Sequence, residues 1–287
     1  MKKKKILLFG ASGMAGHVVY SFLNELKLYE ITPIVYRKKV SESAIIIDVS
    51  NTEAVINLVR TQKPDFIVNC IGVLVKGSQK YPDNAILLNA YFPHLLKRLA
   101  DEVHARLIHI STDCVFSGKK GNYCEDDPQD AEDLYGKSKG LGEIVSESHL
   151  TLRTSIIGPE IKSEGEGLFH WFMLKEGKVQ GFTEAFWSGI TTLQLASAIQ
   201  SAIENDLTGL LHVTNGEKIC KYDLITQFKK VWERNLVIVE SVPGKAVDKS
   251  LLKSTKFDFN VPSYSVMLND LKEWMTSHAF LYDQLYC

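Results

Sequence analysis

Three glycines, Gly10, Gly13 and Gly16, directly follow a short apolar run at residues 6–9. They open a stretch, residues 14–27, in which apolar side chains recur at helical spacing. A chain that passes from strand to helix through such a turn has few folds open to it. The first glycine permits the tight turn, the second lets a pyrophosphate approach the backbone, and the third lets helix and sheet pack closely. The helix start offers free N–H groups and a partial positive charge to phosphate. With Ser12 inside it, the loop points to a dinucleotide-binding βαβ unit, in GxxGxxG rather than GxGxxG spacing.

The first half keeps the same rhythm. Strands are expected at 31–36, 44–47, 66–71, 106–111 and 151–155, and helices at 52–62, 83–103 and 135–148. This alternation implies parallel strands with right-handed crossovers, an α/β doubly wound Rossmann-type sheet. After Gly158 and Pro159 the rhythm loosens into glycine-broken, aromatic-rich sequence, with helices expected at 191–205, 219–235 and 264–278. The expected organisation is a dinucleotide-binding domain over 1–160, rejoined by about 189–216, and a smaller substrate lobe over 161–287. The length of 287 residues suits that division.

Net charge is −1, which gives no bulk attraction to nucleic acid or to an anionic membrane. No apolar run reaches the roughly 18 residues of a membrane span. The five cysteines, Cys70, Cys114, Cys124, Cys220 and Cys287, are scattered and contain no CxxC pair. That pattern argues for a reducing compartment, hence the cytoplasm, and against a zinc site.

In such sheets ligands bind beyond the carboxyl ends of the strands, so the residues there are the informative ones. The second strand runs into Tyr36-Arg37-Lys38-Lys39 with no acid to hold a ribose 2′-hydroxyl. Arg37 can pair with a 2′-phosphate through its planar fork, so NADPH is expected over NADH, with NADH still open. Asp48 and Val49 close the third strand, where adenine can lie. Cys70, Ile71 and Gly72 close the fourth, along the cofactor path.

Tyr135 and Lys139 stand four apart, on one face of the expected helix. A cation beside a phenol favours the phenolate and lowers its pKa, fitting the tyrosine to give a proton to a carbonyl oxygen. Thr112, at the end of the fifth strand, is the expected hydroxyl partner of that oxygen. Gly136-Lys137-Ser138 imitates the end of a P-loop, but position 131 is alanine and no strand precedes it. The six acids of residues 125–133 follow no EF-hand spacing and are expected to form a solvated loop; no metal site is expected. His170-Trp171-Phe172 and Phe186-Trp187 are candidates for a sugar or base pocket, with core packing the alternative.

The segments GASGMAG, NCIG (69–72), STDCVFSG (111–118), YGKSKGLGE (135–143), LRTSIIGP (152–159) and GITTLQLA (189–196) occur here in order. In them the chain resembles extended short-chain dehydrogenases/reductases of the dTDP-4-dehydrorhamnose reductase group. The resemblance implies NADPH- or NADH-dependent reduction of a 4-keto-6-deoxy sugar linked to a nucleoside diphosphate, in nucleotide-sugar biosynthesis for cell-surface polysaccharide. It implies Tyr135 as the acid, Lys139 as its tuner and ribose ligand, and Thr112 as the hydroxyl partner. It also places Gly13, Met14 and Ala15 on the pyrophosphate loop, Asp48 and Val49 near adenine, Ile71 and Gly72 along the cofactor, and Asp113 near the sugar.

Met14-Ala15 stands where the rhamnose enzymes usually have Gln-Leu or Gln-Val, and Ile156 stands where they carry a tryptophan. A UDP-linked 4-keto-6-deoxy-N-acetylhexosamine is therefore as open as the rhamnose precursor. The dehydratase relatives need an Asp-Glu pair after the threonine, whereas here Cys114 follows Asp113. Two rivals are a nucleotide-sugar epimerase and a non-catalytic regulatory subunit on the same scaffold, as in the β subunit of methionine adenosyltransferase. A homodimer is an open assembly.

Overall fold

The computed structural model describes residues 2–242, 244–256 and 258–286; Cys287 lies outside them. Seven strands form one sheet: β1 (Lys4–Phe9), β2 (Tyr29–Val35), β3 (Ile45–Ile46), β4 (Phe66–Asn69), β5 (Arg106–Thr112), β6 (Leu150–Thr154) and β7 (Gly209–His212). Their order is β7-β6-β5-β4-β1-β2-β3, and every neighbouring pair is parallel.

Successive side chains of a strand face opposite ways, and β1 shows the consequence. Ile6 and Leu8 join one apolar cluster with the helices Met14–Glu25 and Thr192–Glu204. Leu7 and Phe9 join another with the helices Thr52–Gln62 and Phe92–Val103. A strand covered on both faces is apolar throughout, which is why residues 6–9 show no alternation. The arrangement is the expected doubly wound α/β fold.

From β1 the chain winds out to β2 and β3, then crosses back to β4 on the other side. Phe9 thus stands opposite Ile34 in β2 and Asn69 in β4. The connections that follow β1 and β4 leave on opposite sides of the sheet, and a crevice opens between them.

Two helices depart from expectation. The helix expected over 83–103 is divided: Ile86–Tyr91 is wound as a π-helix between Pro82–Ala85 and Phe92–Val103. Pro93 has no N–H to give the carbonyl of Asn89 four residues back. The Phe92 N–H instead reaches Leu87, five back. The helix expected over 135–148 spans only Leu134–Leu141, because Glu143 turns inward to a buried ion pair with Arg153 (2.6 Å).

In the carboxyl-terminal part, Gly177–Phe182 pairs in parallel with Leu236–Ser241, and the helix Lys221–Val231 packs across both. The glycines at 177 and 181 hid the first of these strands in the sequence. Phe169, Phe172, Phe228 and Trp232 form the aromatic centre of this part. The helix Thr192–Glu204 returns to lie against Met14–Glu25, and β7 extends the main sheet. Among the described residues, no helix is long and apolar enough to cross a membrane.

Candidate active site

Gly10 has φ +81°, and a Cβ there would stand 3.0 Å from the Cys70 carbonyl carbon. At Gly16 a Cβ would stand 2.1 Å from the Gly10 carbonyl oxygen, so only glycine lets the helix start this close to the turn. The Gly10 and Ala11 N–H groups both donate to the Ile34 carbonyl (3.1 Å), which locks the turn to β2. The helix Met14–Glu25 then begins after Gly13 with no side-chain cap on its first amides.

Two cavities meet at this turn. One, of about 380 Å³, is lined by Gly10, Ser12, Gly13, Tyr36, Asp48, Val49, Cys70, Ile71 and Gly72, among others. The other, of about 580 Å³, shares Gly13, Cys70, Ile71 and Gly72 with it, and adds Met14, Ala15, Thr112, Cys114, Tyr135 and Lys139. Together they make a continuous groove from the end of β2 to the end of β5. The groove passes over the close-packed glycine turn, which leaves room for a dinucleotide's phosphates against the backbone.

Arg37 does not line the groove; its guanidinium lies over the Tyr36 ring, 4.7 Å from the centroid. The Asp48 carboxylate accepts from the Ser50 N–H (3.0 Å) and hydroxyl (2.7 Å).

The groove's inner end carries the chemistry. Asp133 caps the helix Leu134–Leu141 by accepting from the Gly136 N–H (2.8 Å). The cap places Tyr135 in the first turn and Lys139 one turn later, both facing the end of β5. Tyr135 and Thr112 line the same cavity, and the Thr112 hydroxyl donates to the Asp113 carboxylate (3.2 Å). Thr112 also accepts from the Cys114 N–H (3.1 Å), which fixes its rotamer.

The expected tuning of Tyr135 by Lys139 is not in place. Burial pushes the phenol above its ordinary range, the Cys114, Asp113 and Asp133 side chains add to that, and the Thr112 hydroxyl opposes it. The Lys139 ammonium donates to the Ile110 carbonyl (2.7 Å) instead. Burial brings Lys139 down to about 8, against the pull of Glu143 and Cys70. Burial likewise pushes the thiols of Cys70 and Cys114 up to about 12. Asp113 does not line the groove. It is buried behind Thr112, and burial raises its carboxyl despite Lys249 and hydrogen bonds with Thr112, Cys114 and Ser155.

Three groups escaped the sequence reading. Asn89, buried in the π-helical segment, accepts from the Val73 N–H (2.8 Å) and donates to the Val73 carbonyl (3.0 Å) and the Ser138 hydroxyl (3.1 Å). It ties the groove wall to the helix of Tyr135 and Lys139. Lys249 arrives from far along the chain; burial disfavours its charge, but Cys114, Asp113 and Asp133 outweigh that and raise it. Glu143 takes a bidentate ion pair from Arg153 (2.9 and 2.6 Å) and a hydrogen bond from the Ser111 hydroxyl (2.6 Å). Only Asn89 had a signal within reach: a polar residue in an apolar helical stretch, four before a proline.

The acidic loop is fastened by charge. Asp127 pairs with Lys120, Glu132 with Lys119, and Asp130 accepts from Ser117 (2.7 Å). Among the described residues, no group of three or more His, Cys, Asp or Glu side chains is placed to hold a metal. A further open cavity of about 800 Å³ shares Lys76 and Glu166 with the inner end of the groove. It is lined by Lys175, Lys178 and Lys221 and by the rings of Trp171 and Phe182. His170 also lines it but is buried, with Nδ1 on the Tyr286 phenol (2.7 Å); Trp187 is buried against Tyr264.

Comparison with known proteins adds three findings. The family model described as the RmlD substrate binding domain matches residues 4–275. Among curated proteins, the chain is 28% identical over 232 residues to the spore coat polysaccharide biosynthesis protein SpsK of Bacillus subtilis, covering 77% of each chain. It is also 27% identical over 239 residues to methionine adenosyltransferase 2 subunit beta of Rattus norvegicus, covering 77% of this chain and 70% of that one. Among solved structures, a dTDP-4-dehydrorhamnose reductase of Bacillus anthracis in complex with NADP superposes with a TM-score of 0.82. The two are 21% identical, over 95% of this chain and 100% of the other.

Proposed function

This chain belongs to the RmlD substrate binding domain family, and from that membership we propose that it is an NADPH-dependent reductase of a 4-keto-6-deoxy sugar carried on a nucleoside diphosphate. The observation that carries the reading is the convergence of Thr112, Tyr135 and Lys139 on a cavity that continues into the glycine-loop groove. Gly10, Ser12, Gly13, Met14 and Ala15 would hold the cofactor's pyrophosphate, Asp48 and Val49 its adenosine, and Cys70, Ile71 and Gly72 the length between. Bound there, a reduced nicotinamide supplies hydride to a carbonyl carbon.

The chain's own residues supply the proton. With its phenol protonated by burial, Tyr135 gives a proton to the substrate oxygen, and Thr112 donates a hydrogen bond to the same oxygen. Lys139, charged below about 8, would hold the cofactor ribose and favour the phenolate left after transfer. The lysine-lined cavity beside it suits the diphosphate, and Trp171 and Phe182 the base. Residues 1–160 with the returning 189–216 would then hold the cofactor and residues 161–287 the substrate, in the cytoplasm. The sugar is a dTDP-linked or UDP-linked ketosugar made by a dehydratase.

The test is turnover of such ketosugars with NADPH, comparing wild type with Tyr135→Phe. The variant should lose at least about a hundredfold in turnover, the scale of a lost general acid, while binding NADPH with unchanged affinity. Near-normal turnover by the variant refutes the role of Tyr135. Cofactor binding by the wild type without turnover of any ketosugar favours the regulatory-subunit reading, to which the 27% identical subunit beta gives substance.

A further inference from the structure

One loop borders both halves of the groove. Residues 158–167, which follow the short strand Ile156–Ile157, bring Lys162 to the glycine-loop cavity and Glu160, Glu166 and Gly167 to the catalytic one. The same loop therefore spans both halves. It lies close on the glycine turn: a Cβ on Gly167 would stand 3.0 Å from Met14 Sδ. The loop is held in shape from within and behind. The Gly167 N–H donates to the buried Glu160 carboxylate (3.3 Å), and the Glu160 N–H donates to the Tyr286 phenol (2.8 Å).

Lys162 is exposed, and among the described residues it makes no ion pair within 4.0 Å. It is the only cationic side chain lining that cavity among the described residues, with Asp48 as the only carboxylate. It stands near the first turn of Met14–Glu25, since its charge helps burial to hold the His17 imidazole at about 4. Arg37, the expected phosphate partner, lies over the Tyr36 ring and does not line the cavity.

We propose that Lys162 supplies the counter-charge to the cofactor's pyrophosphate, carried by residues 158–167 as a strap laid across the groove. The glycine turn presents backbone amides and the Ser12 side chain to the phosphates but no full charge, and the strap adds that charge. With the strap down, the dinucleotide is enclosed over its middle, so release requires the strap to lift. The inference rests on the dinucleotide reading above.

The experiment titrates cofactor-free wild type, Lys162→Ala and Lys162→Arg with NADPH and with NADH, read by nicotinamide fluorescence, and follows release by stopped-flow chase. Lys162→Ala should weaken both dinucleotides by the same factor, about tenfold for one charge-assisted contact. The loss should appear as faster release, while Lys162→Arg stays within about twofold of wild type. Equal affinity in wild type and Lys162→Ala overturns the proposal. A loss confined to NADPH overturns the pyrophosphate assignment and moves the lysine to the 2′-phosphate. Wild type that binds neither dinucleotide overturns the proposed function and this inference together.

Discussion

Lys139→Met should make the cofactor-free protein more stable at neutral pH while abolishing turnover. Lys139 is 4% exposed, and the one acceptor seen for its ammonium is the Ile110 carbonyl at 2.7 Å. Burial lowers it from its ordinary 10.5 to about 8, and that displacement corresponds to about 3 kcal/mol of penalty on the folded charged state. Methionine fills nearly the same volume without a charge but leaves Ile110 without this donor, a loss of about 1 kcal/mol. The net expectation is a gain of about 2 kcal/mol at pH 7.

The pH dependence separates this cause from packing. Between about 8 and 10.5 the unfolded chain keeps a proton on Lys139 that the folded chain has released. Wild-type stability from this group therefore rises with pH across that window, because the unfolded state binds more protons there. The advantage of the methionine variant is complete below about 8 and fades toward 10.5. Urea unfolding of both proteins at pH 7 and again near the upper end of the window measures it. A variant less stable than wild type at pH 7, or one whose advantage does not change with pH, refutes the reasoning.

Three further substitutions probe the scaffold. Arg153→Met leaves Glu143 buried without its cation and should destabilise by about 3–5 kcal/mol in urea unfolding. Adding Glu143→Leu should return much of that loss, and a double variant as unstable as the single one would count against the ion-pair explanation. Gly16→Ala places a methyl group 2.1 Å from the Gly10 carbonyl oxygen. The helix must retreat from the turn, at about 1–3 kcal/mol, against a helix-propensity gain of no more than about 1 kcal/mol. A lower melting temperature together with weakened NADPH binding is expected, and an unchanged melting temperature would show that the turn has room.

Local chemistry made part of the protein legible. The turn at Gly10 to Gly16 needs residues without Cβ atoms, the helix carrying Tyr135 and Lys139 sets their spacing by its own period, and β1 is apolar because both its faces are covered. Each of these leaves its mark in consecutive residues, as glycines, as a four-residue spacing or as an unbroken apolar run, so sequence alone determined them, and with them the parallel sheet and the end of it that bears the site. Lys162 facing the glycine loop, Lys249 beside Cys114, the Arg153–Glu143 pair and the withdrawal of Arg37 onto Tyr36 depend instead on distant segments meeting. The protonation of the site depends on them too. Whether a phenol and an ammonium are tuned by each other or by the loss of water is set by how completely the surrounding chain closes over them, and spacing along a helix carries no record of that closure.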